Sequence, residues 1–246
     1  CAVRTYKMMK EGAGACISLA EPKVEAANDG KLVHFTADAV TEDTLTDAEL
    51  GAEATAIRLE RRVEMYQWKE RKKSKSKKNL GGSKTTKTTY HYDRVWSSEL
   101  INSSKFKKAE AHRNPTSMPY SSKTFTAQNV TAGGFNLSSS LINKIKGETD
   151  MAIDESMVAK LPPALTAKGQ VQGKDFYVGT DPSNPQIGDL RLSFTVVRPP
   201  QKISVISQQS GNTLVPYQSK AGPTLERLQM GAHSKDAMFE QAQAEN

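Results

Sequence analysis

The sequence has 246 residues, of which 37% are hydrophobic and 25% charged, and it carries a net charge of +7. This length is sufficient for one large domain with a buried core. Its apolar runs are far shorter than the roughly 20 residues that a bilayer-spanning helix needs, and no signal peptide is recognisable, so the composition excludes a membrane span within this stretch.

The positive charge is concentrated in one segment. Residues 69–87 contain nine Lys or Arg and a single acid, Glu70, whereas the rest of the chain has 25 basic and 26 acidic residues. A strongly basic protein is a candidate for binding nucleic acid or anionic lipid, but here the basicity belongs to one loop and not to a broad binding face.

The first third begins with a weakly helical pattern at 2–20, which Pro22 ends because proline cannot continue a helix. A turn then leads into a predicted strand at 31–36. Residues 41–53 are acidic and polar, and we expect a loop or a short helix there.

Residues 56–68 alternate, with one face made of Ile57, Leu59, Arg61, Val63, Met65 and Gln67. Period-2 alternation predicts a strand, although its many charged residues leave a helix as the alternative. Residues 88–96 are also β-prone, so the two segments predict a hairpin. The Lys-rich stretch 69–87 between them has a disorder-like composition and is expected to be a long flexible loop.

The remainder predicts short strands and one helix before a terminal helix. Leu137 to Ile145 place their apolar residues on one helical face, with Ser138 as N-cap. Three short strands are expected at 175–178, 190–196 and 202–206. From Thr224 onward, a C-terminal helix is indicated by Leu225, Leu228, Met238, Phe239 and Ala242.

These elements predict an α+β fold: a β-rich antiparallel domain with a long hairpin, flanked by N- and C-terminal helices near a membrane. We divide the chain into a membrane-proximal helical segment (1–23), a β-rich extramembrane domain (24–221) that includes the flexible basic loop, and a membrane-proximal helix (222–246).

Known catalytic and metal-binding patterns are missing from the sequence. Its four histidines form no HExxH motif, the serines no GxSxG elbow and the glycines no phosphate-binding loop. Cys1 and Cys16 lack metal-type spacing, and either free thiols or a local disulfide is open to them. We therefore predict a protein without enzymatic activity, metal or cofactor. A hydrolase would require a pocket in which a histidine pairs with a serine or an acid.

The charged and aromatic residues around the predicted hairpin are candidates for an interaction or structural motif. Glutamates and arginines there form either a recognition surface or cross-strand ion pairs on a solvated face, and we favour the ion pairs. Trp68 and Trp96, near opposite ends of the hairpin, suit a membrane interface or, with greater weight, core packing. The candidates are Arg58, Arg61, Arg62, Glu64, Tyr66, Trp68, Trp96, Glu99, Asn114, Gly188 and Asp189.

The basic loop is a candidate anion-binding loop through Lys72, Lys73, Lys75, Lys77 and Lys78. It admits three interpretations: an anionic-lipid tether, a nuclear-localisation run, or a solvated disordered loop. We favour the last, and expect no nucleic acid as a partner.

Four segments, in order along the chain, resemble signatures of the LUMA (transmembrane protein 43) family. They are 58–68, 96–103 followed by Asn114-Pro115, 188–194, and 211–216 followed by Lys220 and Gly222. The resemblance extends from about residue 24 to residue 240. The Lys-rich stretch 69–87 departs from it, because the family resemblance implies a more acidic loop there.

The resemblance implies a location and a role. It implies membrane spans before Cys1 and after Asn246, with this domain on the lumenal side of the endoplasmic reticulum and inner nuclear membrane, or on the periplasmic side in a bacterium. Self-association and contacts with other membrane or nuclear-envelope proteins follow as expectations. We therefore predict a scaffold domain, with anionic-lipid or nucleic-acid binding through 69–87 as the alternative. The sequons at Asn102, Asn129 and Asn136 bear on this only if the domain is lumenal.

Overall fold

A computed structural model describes residues 1–245 of the chain. Its helices are α1 (Ala2–Ala15), α2 (Ser139–Ile142), α3 (Glu155–Lys160), α4 (Pro163–Thr166) and α5 (Lys235–Ala244), with short 3-10 turns at Ala26–Asn28 and Ser103–Lys105. Its strands are β1 (Ile17–Ser18), β2 (Leu32–Val40), β3 (Thr44–Asp47), β4 (Ala52–Thr55), β5 (Arg58–Lys78), β6 (Lys84–Ser97), β7 (Lys123–Thr126), β8 (Thr131–Ala132), β9 (Phe135–Asn136), β10 (Glu148–Met151), β11 (Gly169–Gln172), β12 (Asp175–Val178), β13 (Leu190–Val197), β14 (Gln201–Ser210), β15 (Thr213–Val215), β16 (Tyr217–Gln218), β17 (Thr224–Leu225) and β18 (Arg227–Met230). The predicted α+β, mainly antiparallel fold is confirmed.

The first sheet, sheet I, is built around the antiparallel pair β2 and β14. Strands β15 and β18 extend the far edge of β14, while β1 and β8 extend that of β2. Strand β9 connects β8 to β15, so that the pairings form a closed circuit. Apolar side chains fill its interior, where the rings of Phe35 and Phe135 stack with centroids 4.7 Å apart.

Sheet II is centred on β5, which confirms the strand predicted from residue alternation. Along its first half, β13 pairs with one edge, and β7 and then β6 pair with the other. The predicted face is buried throughout, from Ile57 to Gln67. It packs, with apolar residues of β12 and β13, against the β3–β4 hairpin and helices α3 and α4.

Arg58 and Arg61 are both buried, which corrects the expectation that the charges of this strand lie on a solvated face. Arg58 donates to the carbonyl oxygens of Ile142 and Ile145, where helix α2 ends. Such contacts satisfy carbonyls that have no partner within the helix. Arg58 therefore ties sheet II to the α2 region of the sheet I core.

Arg61 lies on the buried face of β5, and each nitrogen of its guanidinium has a partner. Nη1 donates to both carboxylate oxygens of Asp47, at 3.0 and 2.9 Å, Nε donates to the Ser121 carbonyl, and Nη2 lies 2.9 Å from Glu49. Asp47 Oδ1 also accepts from the amides of Glu49 and Leu50. A buried charge is tolerated when it is paired and hydrogen-bonded in this way.

The segment predicted as a flexible loop, 69–87, is instead the outer part of a β-ribbon. Strands β5 and β6 stay paired from Met65 opposite Ser97 to Lys78 opposite Lys84. A turn at 79–83 closes the ribbon, where Gly81 and Gly82 adopt positive φ angles that side chains disfavour. The Thr-rich strand β6 supplies the β propensity that the lysines lack.

The two chain ends pack together: α1 contacts α5 and β17 in a third apolar cluster. Gly12 permits this contact, because a Cβ there would lie 2.5 Å from Leu225. Two local predictions were wrong. Residues 41–53 contain strand β3 and the start of β4 rather than the expected loop or short helix. Residues 224–230 form β17 and β18, so that the terminal helix begins only at Lys235.

Other local predictions are confirmed. Ser138 caps α2 by accepting from the Leu141 amide, although the helix ends at Ile142, and the three short strands of the last third are β12, β13 and β14. Within residues 1–245, no helix combines the length and the apolar character required to cross a membrane. The division into three segments at 23/24 and 221/222 stays a prediction.

Truncating Asp47 tests the buried ion pair against a matched control. The Asp47→Ala variant leaves Arg61 buried without its carboxylate, and the free energy of unfolding should fall by about 3–5 kcal/mol. Glu49→Ala removes a carboxylate from the same guanidinium, but this side chain is 57% exposed against 1% for Asp47, so the loss should be under about 1 kcal/mol. Urea denaturation measures both values, and equal losses would contradict the assignment.

Candidate partner-binding site

Four aromatic side chains line one face of sheet II where the ribbon leaves the body. Tyr66 and Trp68 of β5 and Tyr92 and Trp96 of β6 share this face, because residues two apart along a strand point the same way. We call these four residues the aromatic platform. All four are half-buried, and Arg94 beside them is exposed.

The register of the hairpin brings the two tryptophans together. Trp96 lies opposite Tyr66, with ring centroids 5.1 Å apart, and Trp68 lies opposite Arg94. The expectation that the tryptophans occupy opposite ends of the hairpin was wrong, because the ribbon extends well beyond Trp68 before it turns. Both rings lie half-exposed on the sheet surface, so the core packing that was given greater weight is not observed. A membrane interface for the two tryptophans stays a prediction.

A cation and a carboxylate fix Trp96. The Arg191 guanidinium lies 4.5 Å from the ring centroid of Trp96, and its Nε donates to Glu64 at 2.9 Å. Burial alone would raise the pKa of Glu64, but the hydrogen bond and charge of Arg191, followed by those of Arg62, hold this pKa below its ordinary value. The carboxylate therefore stays charged and keeps Arg191 over the indole, an arrangement in which cation–π attraction adds to the ion pair.

Tyr177 supports the platform from β12. Its ring packs edge-on against Trp96, with centroids 5.9 Å apart, and its hydroxyl donates to Asp189. Burial, followed by this hydrogen bond, raises the pKa of Tyr177, so the phenol remains a donor at neutral pH. An ordered ring lies beneath the half-exposed tryptophan as a result.

The outer half of the platform is covered by the segment 101–114. The imidazole of His112 stacks on Tyr92 with centroids 3.7 Å apart and meets Trp68 edge-on at 4.8 Å. Glu70 accepts from the Tyr92 hydroxyl and from the Lys107 amide, both at 2.7 Å. Burial would raise the pKa of Glu70, and these hydrogen bonds lower it below the ordinary value.

The edge of β5 beyond β13 is closed by two short segments. The Tyr66 amide donates to the Asp189 carbonyl, and Gly188 donates back to Tyr66. Asn114 then accepts from the Trp68 amide at 2.6 Å and donates to the Trp68 carbonyl at 2.9 Å. Unpaired strand edges invite association with other chains, and these contacts protect the edge as far as residue 68.

Comparisons with known proteins identify the family of the chain. A family model described as Transmembrane protein 43 matches residues 65–246. The chain belongs to the transmembrane protein 43 family. The recognition from sequence motifs is thereby confirmed, and three of the motifs that carry it (Tyr66 to Trp68, Asn114-Pro115 and Gly188-Asp189) meet at the base of the ribbon.

Curated members of the family resemble the whole chain. Transmembrane protein 43 of Mus musculus is 33% identical over 255 residues, covering 100% of this chain and 62% of the relative. The Homo sapiens protein is 33% identical over 248 residues, covering 97% and 60%, and the Drosophila melanogaster homolog is 27% identical over 228 residues, covering 91% and 58%. The chain thus spans about six-tenths of the length of these relatives. No solved structure matches.

Other candidate residues lie apart from the platform or contribute only through the backbone. Arg58 and Arg61 are buried in the body, as described above, whereas Arg62 is exposed and lies 3.4 Å from Glu64. Glu99 contributes its carbonyl oxygen, which accepts from Gln67. Tyr92, His112, Tyr177 and Arg191 belong to the site but were not among the residues predicted from the sequence. Arg191 could have been found from the alternation of 190–196, which places its side chain on the outer face of the strand.

The described residues contain no group of three or more His, Cys, Asp or Glu placed to hold a metal ion. Cys1 and Cys16 are both free thiols, and burial raises the pKa of Cys16 to about 11. One serine does meet a histidine. Ser18 Oγ lies 2.8 Å from Nδ1 of His34, whose Nε2 lies 2.8 Å from the His233 carbonyl oxygen, beside an open pocket of about 360 Å³. Since Nε2 must donate to that carbonyl, Nδ1 accepts from Ser18; the ring is held by a carbonyl and not by a carboxylate.

Acid should release Arg191 from Trp96. The pKa of Glu64 is lowered in the folded protein, so its pairing contributes stability above the ordinary value of 4.5 and loses it as the pH falls through the lowered value. In a Trp68→Phe background, Trp96 fluorescence should change in that acid window. Adding Glu64→Gln should abolish the transition, and a transition that survives this substitution would contradict the assignment.

Proposed function

We propose that this chain is the extramembrane scaffold domain of a membrane protein, and that it binds partner proteins through the aromatic platform. The observation that carries the proposal is the convergence of the family's motifs on a half-exposed surface of tryptophan, tyrosine and arginine. These three residue types are enriched at protein interfaces and among the residues that contribute most to binding.

The platform is suited to binding because its parts are already ordered. Arg191 is held by Glu64, Tyr177 by Asp189 and Tyr92 by Glu70. A partner therefore meets side chains whose conformational entropy is already reduced, which favours affinity. Next to the platform, an open cleft of about 690 Å³ is lined by Gly169, Gly179 and Asp189, among others, and offers room for a segment of the partner.

The family supports the proposed location. The relatives are named as transmembrane proteins, and this chain spans about six-tenths of their length. We place the membrane anchors outside this chain and the domain on the lumenal side of the endoplasmic reticulum and inner nuclear membrane, or on the periplasmic side in a bacterium. The partners are other membrane or nuclear-envelope proteins, including a second copy of the same protein.

Site-specific photo-crosslinking tests this role. A photoreactive amino acid in place of Arg94, in the membrane-embedded full-length protein, should form cross-links to a second copy or to another membrane protein. The same substitution at Arg198, an exposed arginine at the far end of β13, is the control. No products from position 94, or equal yields from both positions, would contradict the proposal.

Reversing the charge of Arg94 measures how much this residue contributes to binding. If the cross-linked partner is a second copy, Arg94→Glu should weaken self-association by about tenfold in sedimentation velocity. Arg198→Glu changes the net charge equally and should leave the association unchanged.

We propose further that the domain is not an enzyme, and the Ser18–His34 pair provides the test. A fluorophosphonate probe reacts with serines that a histidine base activates. We expect no labelling of Ser18 in the folded protein, with a serine hydrolase as positive control. Labelling that His34→Gln abolishes would identify a nucleophile and refute this part of the proposal.

A further inference from the structure

The outer part of the ribbon stands free of the body. Its base is held by Glu70 and Tyr92, which bond to the Lys107 and Lys108 amides. Every residue from Arg71 to Thr89 is exposed. Eight residues of β5, from Arg71 to Lys78, carry the ribbon about 25 Å outward at 3.3 Å per residue.

The two faces of the ribbon differ in chemistry. On one face Lys73, Lys75 and Lys87 surround a shallow cavity with Thr89 and His91. On the other face hydroxyl groups pair across the strands: Ser74 with Thr88 and Ser76 with Thr86, each at 3.2 Å. By alternation Arg71 and Lys77 share the first face, which gives it five cations, whereas the hydroxyl face has three: Lys72, Lys78 and Lys84. The positive charge is therefore greater on the first face, which we call the lysine face.

This charge arrangement opposes the folding of the ribbon. Lys75 lies directly opposite Lys87, and Lys78 directly opposite Lys84. Like charges in directly opposed positions destabilise a strand pair. A bound anionic surface would neutralise the opposed lysines and so relieve this repulsion. The opposed lysines are therefore better accommodated in the bound ribbon than in the free one.

The tip of the ribbon carries an apolar side chain. Leu80 has a relative exposure of 106%, in a turn with Gly81 and Gly82. Lys78 and Lys84 flank it. An exposed apolar residue between two lysines suits the boundary between lipid headgroups and acyl chains. There, apolar insertion and attraction to anionic lipid act together.

We propose that the ribbon is a membrane-docking element: its lysine face binds the headgroups of an anionic bilayer, and Leu80 enters the interface. A nucleic acid fits less well, because Tyr90 and His91 at the inner end are the only aromatic rings near the lysines, and residues 71–89 offer no further ring on which successive bases could stack. This function is independent of the aromatic platform, and uses a segment that departs from the family pattern.

Vesicle binding tests the proposal with the complete chain. The chain should co-sediment with phosphatidylcholine vesicles that contain phosphatidylserine and not with phosphatidylcholine alone. Raising the salt from about 0.1 M to 1 M, which shortens the screening length from about 10 to 3 Å, should release it. Replacing Lys73, Lys75 and Lys87 by Gln should lower the affinity about 100-fold, at roughly fivefold for each lysine.

Matched controls separate the ribbon from net charge. Lys31→Gln, Lys168→Gln and Lys202→Gln together remove the same charge from exposed positions on the body and should bind as the unmodified chain does. Leu80→Ser should weaken binding, whereas Val171→Ser, at another exposed apolar residue, should not.

Three results would overturn the proposal. They are failure to bind anionic vesicles, equal losses in the two triple variants, and binding that persists without the ribbon lysines. Ribbon-dependent binding to a DNA duplex in the absence of vesicle binding would assign the lysines to nucleic acid instead.

Discussion

The guanidinium of Arg61 holds β5 against the β3–β4 hairpin, and the rest of sheet II is arranged around that contact. Its pairing with Asp47 is almost fully buried, and a buried charge without its partner is strongly destabilising. The contact therefore fixes which face of β5 is inside. Once that face is set, alternation directs Glu64, Tyr66 and Trp68 outward, and the platform assembles on the opposite side.

Strand β5 thus passes through three different environments along its length. Near Arg58, β5 joins the two cores; at Tyr66 and Trp68 it forms the platform; beyond Glu70 it leaves the body as half of the ribbon. The Asn114-Pro115 and Gly188-Asp189 segments mark the second transition, because they occupy the strand edge after β13 ends. Segments far apart in sequence thus protect the same few residues of β5.

The sequence predicted those parts of the fold in which side-chain alternation reflects burial. Residues 56–68 and 190–196 show the period of a half-buried strand. The face of β5 from Ile57 to Gln67 was assigned correctly, whereas the burial of Arg58 and Glu64 on the opposite face was not predicted. The ribbon was missed because its lysines face water on both sides, so that no burial pattern distinguishes paired strands from a solvated loop. Leu225 and Leu228 have helical spacing and led to the wrong prediction of a helix there. Gly222, Pro223 and Gly231, which bound the segment, were a signal against it. The site residues Tyr92 and His112 meet only through tertiary packing, which sequence spacing does not encode.

Native-state hydrogen exchange along β5 tests the central claim that Asp189 and Asn114 close this strand's edge as far as Trp68 and leave it open beyond. The account predicts slow exchange at the Tyr66 and Trp68 amides, which bond to Asp189 and Asn114. Beyond Arg71, it predicts a sharp fall in protection at those β5 amides that point away from β6, because no other segment within residues 1–245 covers this edge of the ribbon. Rapid exchange at Trp68, or protection that continues undiminished to Lys78, would contradict it.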